Sequence, residues 1–133
     1  MRHATGMKYA RHLLAASALA GLAAVAGAQP ASAPEALKIQ YLISAIDSLK
    51  DAAFFRNGVA YGSKSAADHL RLKWRLAGSR CTTAEGFIHY CASASSVTGL
   101  PYSIRFADGH TVTSEIFLRR ELSAYQAAGL PGG

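Results

Sequence analysis

The sequence is short of acid. Only 8 of its 133 residues are Asp or Glu, against 14 Lys and Arg. Most of the acids fall where a helix starts or a turn closes, where a carboxylate already has local work. Glu35, Asp68, Glu85 and Glu115 read as first-turn residues and Asp108 as a turn residue. Asp47, Asp51 and Glu121 are left, with no spacing that pairs two carboxylates for acid–base work. No G-x-S-x-G, HExxH, phosphate loop or dinucleotide fingerprint occurs, so the common hydrolase, metalloprotease and nucleotide signatures are missing. No metal site and no cofactor is expected. There is one Trp, and there are only two cysteines, Cys81 and Cys91.

An apolar run is present but brief. Leu13 to Ala26 is rich in small residues and follows Arg2, Lys8 and Arg11, with Ala26-Gly27-Ala28 at its end. A basic start, a short apolar stretch and a small-x-small site form a secretory signal peptide. A membrane span needs about 20 apolar residues, so no span is expected after cleavage. Met1 and Met7 both fit as its start. The expected organisation is a cleaved signal at 1–28, a disordered lead at 29–34, one domain at 35–127 and a flexible tail at 128–133. Removing 28 of 133 residues leaves 105, enough for one modest core. Three of the 14 basic residues leave with the signal, so 11 face 8 acids and the net charge falls from +6 to +3. That balance suits an envelope of anionic polymers and gives no reason to expect nucleic acid.

Pro34 and Glu35 open a helix whose stripe is Ile39, Leu42, Ile43, Ile46 and Leu49. Asn57-Gly58 then joins two strands, since both positions tolerate positive φ. Ser65 with Asp68 reads as the cap of a second helix, ended by Gly78. Thr82-x-x-Glu85 reads as a capping box for a third helix over Thr83 to Ala94. A loop follows, then a second hairpin about Asp108-Gly109, then a helix capped by Thr113 or Ser114 with Leu118, Leu122 and Tyr125 on one face. The expected fold class is α+β, one small domain in the order α-ββ-α-α-ββ-α, its hairpins joined in one antiparallel sheet.

The third helix decides the expectation for the cysteines. If Cys81 and Cys91 flank it, ten residues of rise place their Cα atoms about 15 Å apart, and a bridge needs less than about 7 Å. Cys91 falls on the apolar face with Ala84, Phe87 and Ile88. Both thiols are therefore expected free within the chain, against the preference of an oxidising compartment for bridges.

On the second helix, Ala67, Leu70, Trp74 and Ala77 form one apolar side, Leu72 and Leu76 another, and Lys64, Asp68, Arg71 and Arg75 a charged stripe. His69 and Lys73, one turn apart, lie between the apolar sides. With Arg56 from the first hairpin they form a candidate anion site. The plainer reading, a snorkelling lysine and a histidine bonded to a backbone carbonyl, is the one the sequence favours. The loop from Ser93 to Tyr102 offers Ser95, Ser96 and Tyr102 as ligand donors. Its hydroxyls equally suit local turn bonds.

Four ordered motifs carry a resemblance: Arg56-Asn57-Gly58; His69-Leu70-Arg71-x-Lys73; Thr83-Ala84-Glu85 with Phe87-Ile88; and Ala92-Ser93-x-Ser95-Ser96 with Gly99-x-Pro101-Tyr102. They resemble the YfeK-like proteins, a domain-of-unknown-function family of small exported bacterial proteins. The resemblance covers about residues 35 to 125. It implies one exported domain in the periplasm and brings no activity, substrate or cofactor with it. The two cysteines lie outside its pattern, and Gly86 stands where a polar residue is more usual. The expected function is a small binding or accessory protein of the cell envelope with no catalysis of its own, its partner an envelope ligand or protein, anionic if the candidate anion site is real. The rivals are a hydrolase using a loop serine with His69, and a protein associated with the cell wall.

Overall fold

The computed structural model describes residues 30–132. The expected signal at 1–28 lies outside the described residues. Four antiparallel strands form one sheet in the order β2-β1-β3-β4: β1 is Ala53–Arg56, β2 Val59–Tyr61, β3 Ser103–Arg105 and β4 Thr111–Thr113. The helices are α1 (Ala33–Asp47), α2 (Ser63–Ala77), a short α3 (Ala84–Gly86) that runs into a π-helical stretch (Phe87–Ala92), and α4 (Ser114–Ala127). The fold is α+β, in the order of elements read from the sequence.

Strand alternation divides the sheet into two faces. The register places Phe54 beside Tyr61 on one side and Ile104 on the other, with Val112 beyond Ile104. This row faces the helices, and Phe54 and Ile104 are buried in it. Ile39, Leu42, Ile43 and Ile46 of α1, Ala67 and Leu70 of α2, Phe87 and Ile88, and Leu118 and Leu122 of α4 complete the core. Leu72 and Leu76, expected as a second apolar side of α2, are instead exposed.

The first hairpin closes at Asn57 and Gly58 with φ of 52° and 78°, the two-residue turn the sequence asks for. In the second, the Gly109 amide donates to Phe106 O at 2.9 Å and Gly109 takes φ 89°. Thr113 caps α4, its hydroxyl accepting from the Ile116 amide at 3.2 Å. Gly78, at φ 57°, ends α2.

Several expectations shift. The first helix begins at Ala33, inside the expected lead. The cap of α2 is Gly62, not Ser65, so the helix starts directly off β2; the Ser63 hydroxyl is drawn away to Leu49 O. The cap of α3 is Thr83, not Thr82; its hydroxyl accepts from the Gly86 amide at 3.0 Å, and Glu85 pairs with Arg119 of α4. Within the expected tail at 128–133, Pro131 O accepts from the Tyr125 hydroxyl at 2.7 Å.

The largest correction concerns the cysteines. Cys81 and Cys91 form a disulfide, with their Cα atoms 7.0 Å apart. The expectation of free thiols assumed that Cys81 lies on the axis of the third helix. It does not. Gly78–Cys81 forms a separate 3-10 turn that runs beside that helix. Gly86 explains how. A Cβ at Gly86 would lie 2.8 Å from Arg80 O, so only glycine lets that turn approach. The unusual glycine and the bridge are one structural device.

Candidate functional site

Arg56, Tyr102, His69 and Lys73 converge at one end of the sheet. Arg56 follows Phe54 by two residues and Tyr102 precedes Ile104 by two. Both therefore lie on the helix-facing side. Extending the Phe54–Ile104 register by two residues sets Arg56 opposite Tyr102. Above them, α2 presents His69 and, one turn later, Lys73.

The contacts are close. Arg56 Nη1 lies 3.1 Å from both His69 Nδ1 and Nε2, and Nη2 donates to the Tyr61 hydroxyl at 3.2 Å. His69 Nε2 lies 3.3 Å from the Tyr102 hydroxyl. Lys73 Nζ donates to Tyr102 Oη at 3.1 Å and to Ala94 O at 3.0 Å. Arg56 also stands over the Tyr61 ring and Lys73 over the Tyr102 ring, each about 5 Å from the centroid. The structure thus brings together three residues the sequence grouped, adds Tyr102 from the loop, and adds Tyr61, which sequence reading missed. The signal for Tyr61 was available: it pairs with Phe54, the neighbour of Arg56 on the same face.

The electrostatics follow from crowding. Burial lowers the His69 pKa, and the Arg56 and Lys73 charges lower it further. Burial also lowers the Lys73 pKa, with Arg56 adding to the effect. Burial raises that of Tyr102, while Arg56 pulls it down. His69 therefore sits neutral and accepts from Arg56.

The cluster holds more donors than acceptors. Arg56 carries five N–H groups, Lys73 three, and His69 and the two tyrosines one each. Against them stand the Ala94 carbonyl, two phenol oxygens and one imidazole lone pair. With Arg56 donating to Nδ1, His69 Nε2–H donates to Tyr102, whose oxygen then accepts from both His69 and Lys73. In that tautomer the Tyr102 proton has no acceptor among the described residues; in the other, Nε2 accepts it and the Nδ1 proton faces Arg56 instead. The Tyr61 proton has no described acceptor in either. Nor does either cation form an ion pair with a described carboxylate.

The loop serines have other work. Ser95 is buried and accepts from the Val97 amide at 3.3 Å, the Thr98 amide at 3.4 Å and Asn57 Nδ2 at 3.3 Å. Thr98 donates to Asn57 Oδ1 at 2.5 Å. The loop therefore grips the hairpin tip and fixes the residue before it, Arg56. Ser96 is exposed. The partners of the His69 ring are Arg56 and Tyr102, and no serine hydroxyl bonds to it among the described residues. The pairing that a loop-serine hydrolase requires is absent there.

Beside the cluster lies a cavity of about 160 Å³. Ile46, Phe54, Phe55, Ala66 and Leu70 are the apolar residues of its lining, and Arg56, Tyr61, Ser65, His69, Tyr102 and Ser114 the polar ones. Among the described residues, no helix is long and apolar enough to cross a membrane.

Comparison with known proteins places the chain. A segment of 71 residues is 44% identical to the uncharacterized protein YfeK of Salmonella typhimurium (strain LT2). It covers 53% of this chain and 59% of that protein, so the match spans less than two thirds of the relative. No solved structure matches. Residues 33–126 match the model of a family described as "Family of unknown function (DUF5329)". These residues take in every helix and strand of the fold but the last residue of α4, and the chain belongs to the DUF5329 family.

Proposed function

We propose that the protein is an exported, periplasmic binding protein without catalysis of its own, and that its ligand is a small anion held by Arg56, His69, Tyr61 and Tyr102. One observation carries the reading: the half-buried donors at this site outnumber the acceptors, and no described carboxylate balances the two cations. Among the described residues every buried side-chain nitrogen and oxygen has at least one partner, so the deficit is one of hydrogen-bond capacity and of negative charge. A ligand rich in acceptors and carrying negative charge supplies what is missing. Export rests on the signal pattern of residues 1–28, and the Cys81–Cys91 bridge suits an oxidising compartment.

Calorimetric titration of the purified protein with acetate tests the binding reading. Acetate is expected to bind the native protein and not the Arg56→Gln variant. Equal heats from both would reject the site. Cell fractionation, with sequencing of the recovered N-terminus, tests export. A chain starting near Gln29 in the periplasmic fraction is expected, and a full-length chain in the cytoplasm would reject it.

A further inference from the structure

The shape of the cavity narrows the ligand beyond "anion". Its apolar floor is core, while its mouth at Phe55, Ser65 and Ala66 opens to solvent. Ile46, Leu70 and Phe54 are core residues, 0%, 4% and 8% exposed. The void beside the cluster therefore reaches into the core. A hydrophobic cavity of about 150 Å³ accommodates a benzene ring, and this one measures about 160 Å³. An inorganic anion would occupy the donors and leave that apolar space empty.

The charge is limited too. The Lys73 ammonium is spent on Ala94 O and Tyr102 Oη and does not line the cavity. The only full positive charge on the lining is Arg56. One guanidinium matches one carboxylate, which it can grip through two parallel N–H bonds. Tyr102 and Tyr61 line the same cavity and add hydroxyls beside Arg56.

Resting on the anion-binding reading above, we infer that the ligand is a small aromatic or similarly compact apolar monocarboxylate, its acid on Arg56 and its body in the cavity between α1, α2 and β1. The acid end selects against neutral ring compounds, and the apolar end selects against acetate and phosphate.

Benzoate, acetate, inorganic phosphate and benzyl alcohol, titrated in parallel into the purified protein, separate the two claims. Benzoate is expected to bind at least about tenfold more tightly than each of the others. Ala66→Leu fills the cavity from α2 and should abolish the preference for benzoate while acetate still binds. Arg56→Gln should abolish both. Thermal melts of each variant confirm that it is folded, and the two substitutions lie on different elements, so one failing to fold leaves the other decisive. Acetate or phosphate binding as tightly as benzoate would overturn the inference and leave the anion site standing. Benzyl alcohol matching benzoate, or no anion binding at all, would overturn both.

Discussion

The Lys73 ammonium donates to the Tyr102 hydroxyl at 3.1 Å and has no carboxylate partner among the described residues. It is thus a hydrogen-bonded lysine and not half of an ion pair. Lys73→Met keeps the stem and removes the charge. Stability should fall by no more than about 1 kcal/mol, the scale of a single hydrogen bond, because removing the charge also relieves repulsion with Arg56. Anion affinity should weaken far less than in Arg56→Gln, since Lys73 is off the cavity lining. Thermal denaturation and acetate titration of the two variants read both effects. A destabilisation of several kcal/mol would mean that Lys73 holds the fold together.

His69 gives the fold a pH dependence of known sign. Arg56 of β1, Tyr61 of β2, Lys73 of α2 and Tyr102 before β3 surround it, and none bears negative charge at neutral pH. Its pKa in the folded protein is lowered, by burial first and then by Arg56 and Lys73. Between that value and the unfolded value of about 6.5, the unfolded chain binds the extra proton. Stability is therefore full above the unfolded value and declines as pH falls toward the folded one. Denaturant unfolding from pH 8 to pH 5 should show this decline in the native protein and a smaller one in His69→Gln. Parallel curves would show that His69 is not the titrating group.

Glu35 ties two distant helix starts together. Its Oε2 accepts from the Ala84 amide at 2.7 Å, and its Oε1 pairs with Lys38 at 2.9 Å. Burial works to raise its pKa, yet the Lys38 and Ala84 bonds prevail and the value is lowered. Its contribution is present above the unfolded value of about 4.3 and is lost as pH falls below it. Glu35→Ala strips the amide of its partner and should cost about 1 kcal/mol at pH 7. Its unfolding curve should converge with that of the native protein in acid. A constant gap at every pH would argue that the charge of Glu35 plays no part.

The bridge should leave no titratable thiol in the denatured, unreduced protein. Cys81→Ser with Cys91→Ser should cost roughly 2–3 kcal/mol, the scale for closing a short loop. Gly86→Ala gains about 1 kcal/mol of helix propensity but sets a Cβ 2.8 Å from Arg80 O. Such overpacking costs about 1–3 kcal/mol, so a net loss is expected, and thiol titration after refolding should show slower bridge formation. Two free thiols in the native chain would return the third helix to the straight form the sequence suggested.

What the sequence shows and what it hides divide along physical lines. Local rules sufficed for α1, for the Asn57-Gly58 turn and for the Thr113 cap, because each is set by residues a few positions apart. Local periodicity also placed His69 and Lys73 on one side of α2. The bridge was hidden because it depends on Gly86 admitting a turn that folds back beside its own helix, which no helical wheel contains. Tyr61 was legible but missed: the two-residue Asn57-Gly58 turn fixes the register that sets it beside Phe54, on the face of Arg56. Ser95 was ambiguous because a hydroxyl that closes a turn and one that awaits a ligand have the same local sequence.

The central claim is that Arg56, His69, Tyr61 and Tyr102 form a site short of an acceptor. The His69 imidazole reports on it directly. Burial is the first cause of the lowered His69 pKa and the Arg56 charge the second, so an anion placed against Arg56 removes the second and raises the pKa of that ring. The measurement is the pH titration of the His69 ring protons by nuclear magnetic resonance, with and without saturating benzoate. The account predicts an upward shift in the native protein and none in Arg56→Gln. An unchanged His69 titration in the presence of benzoate would contradict it.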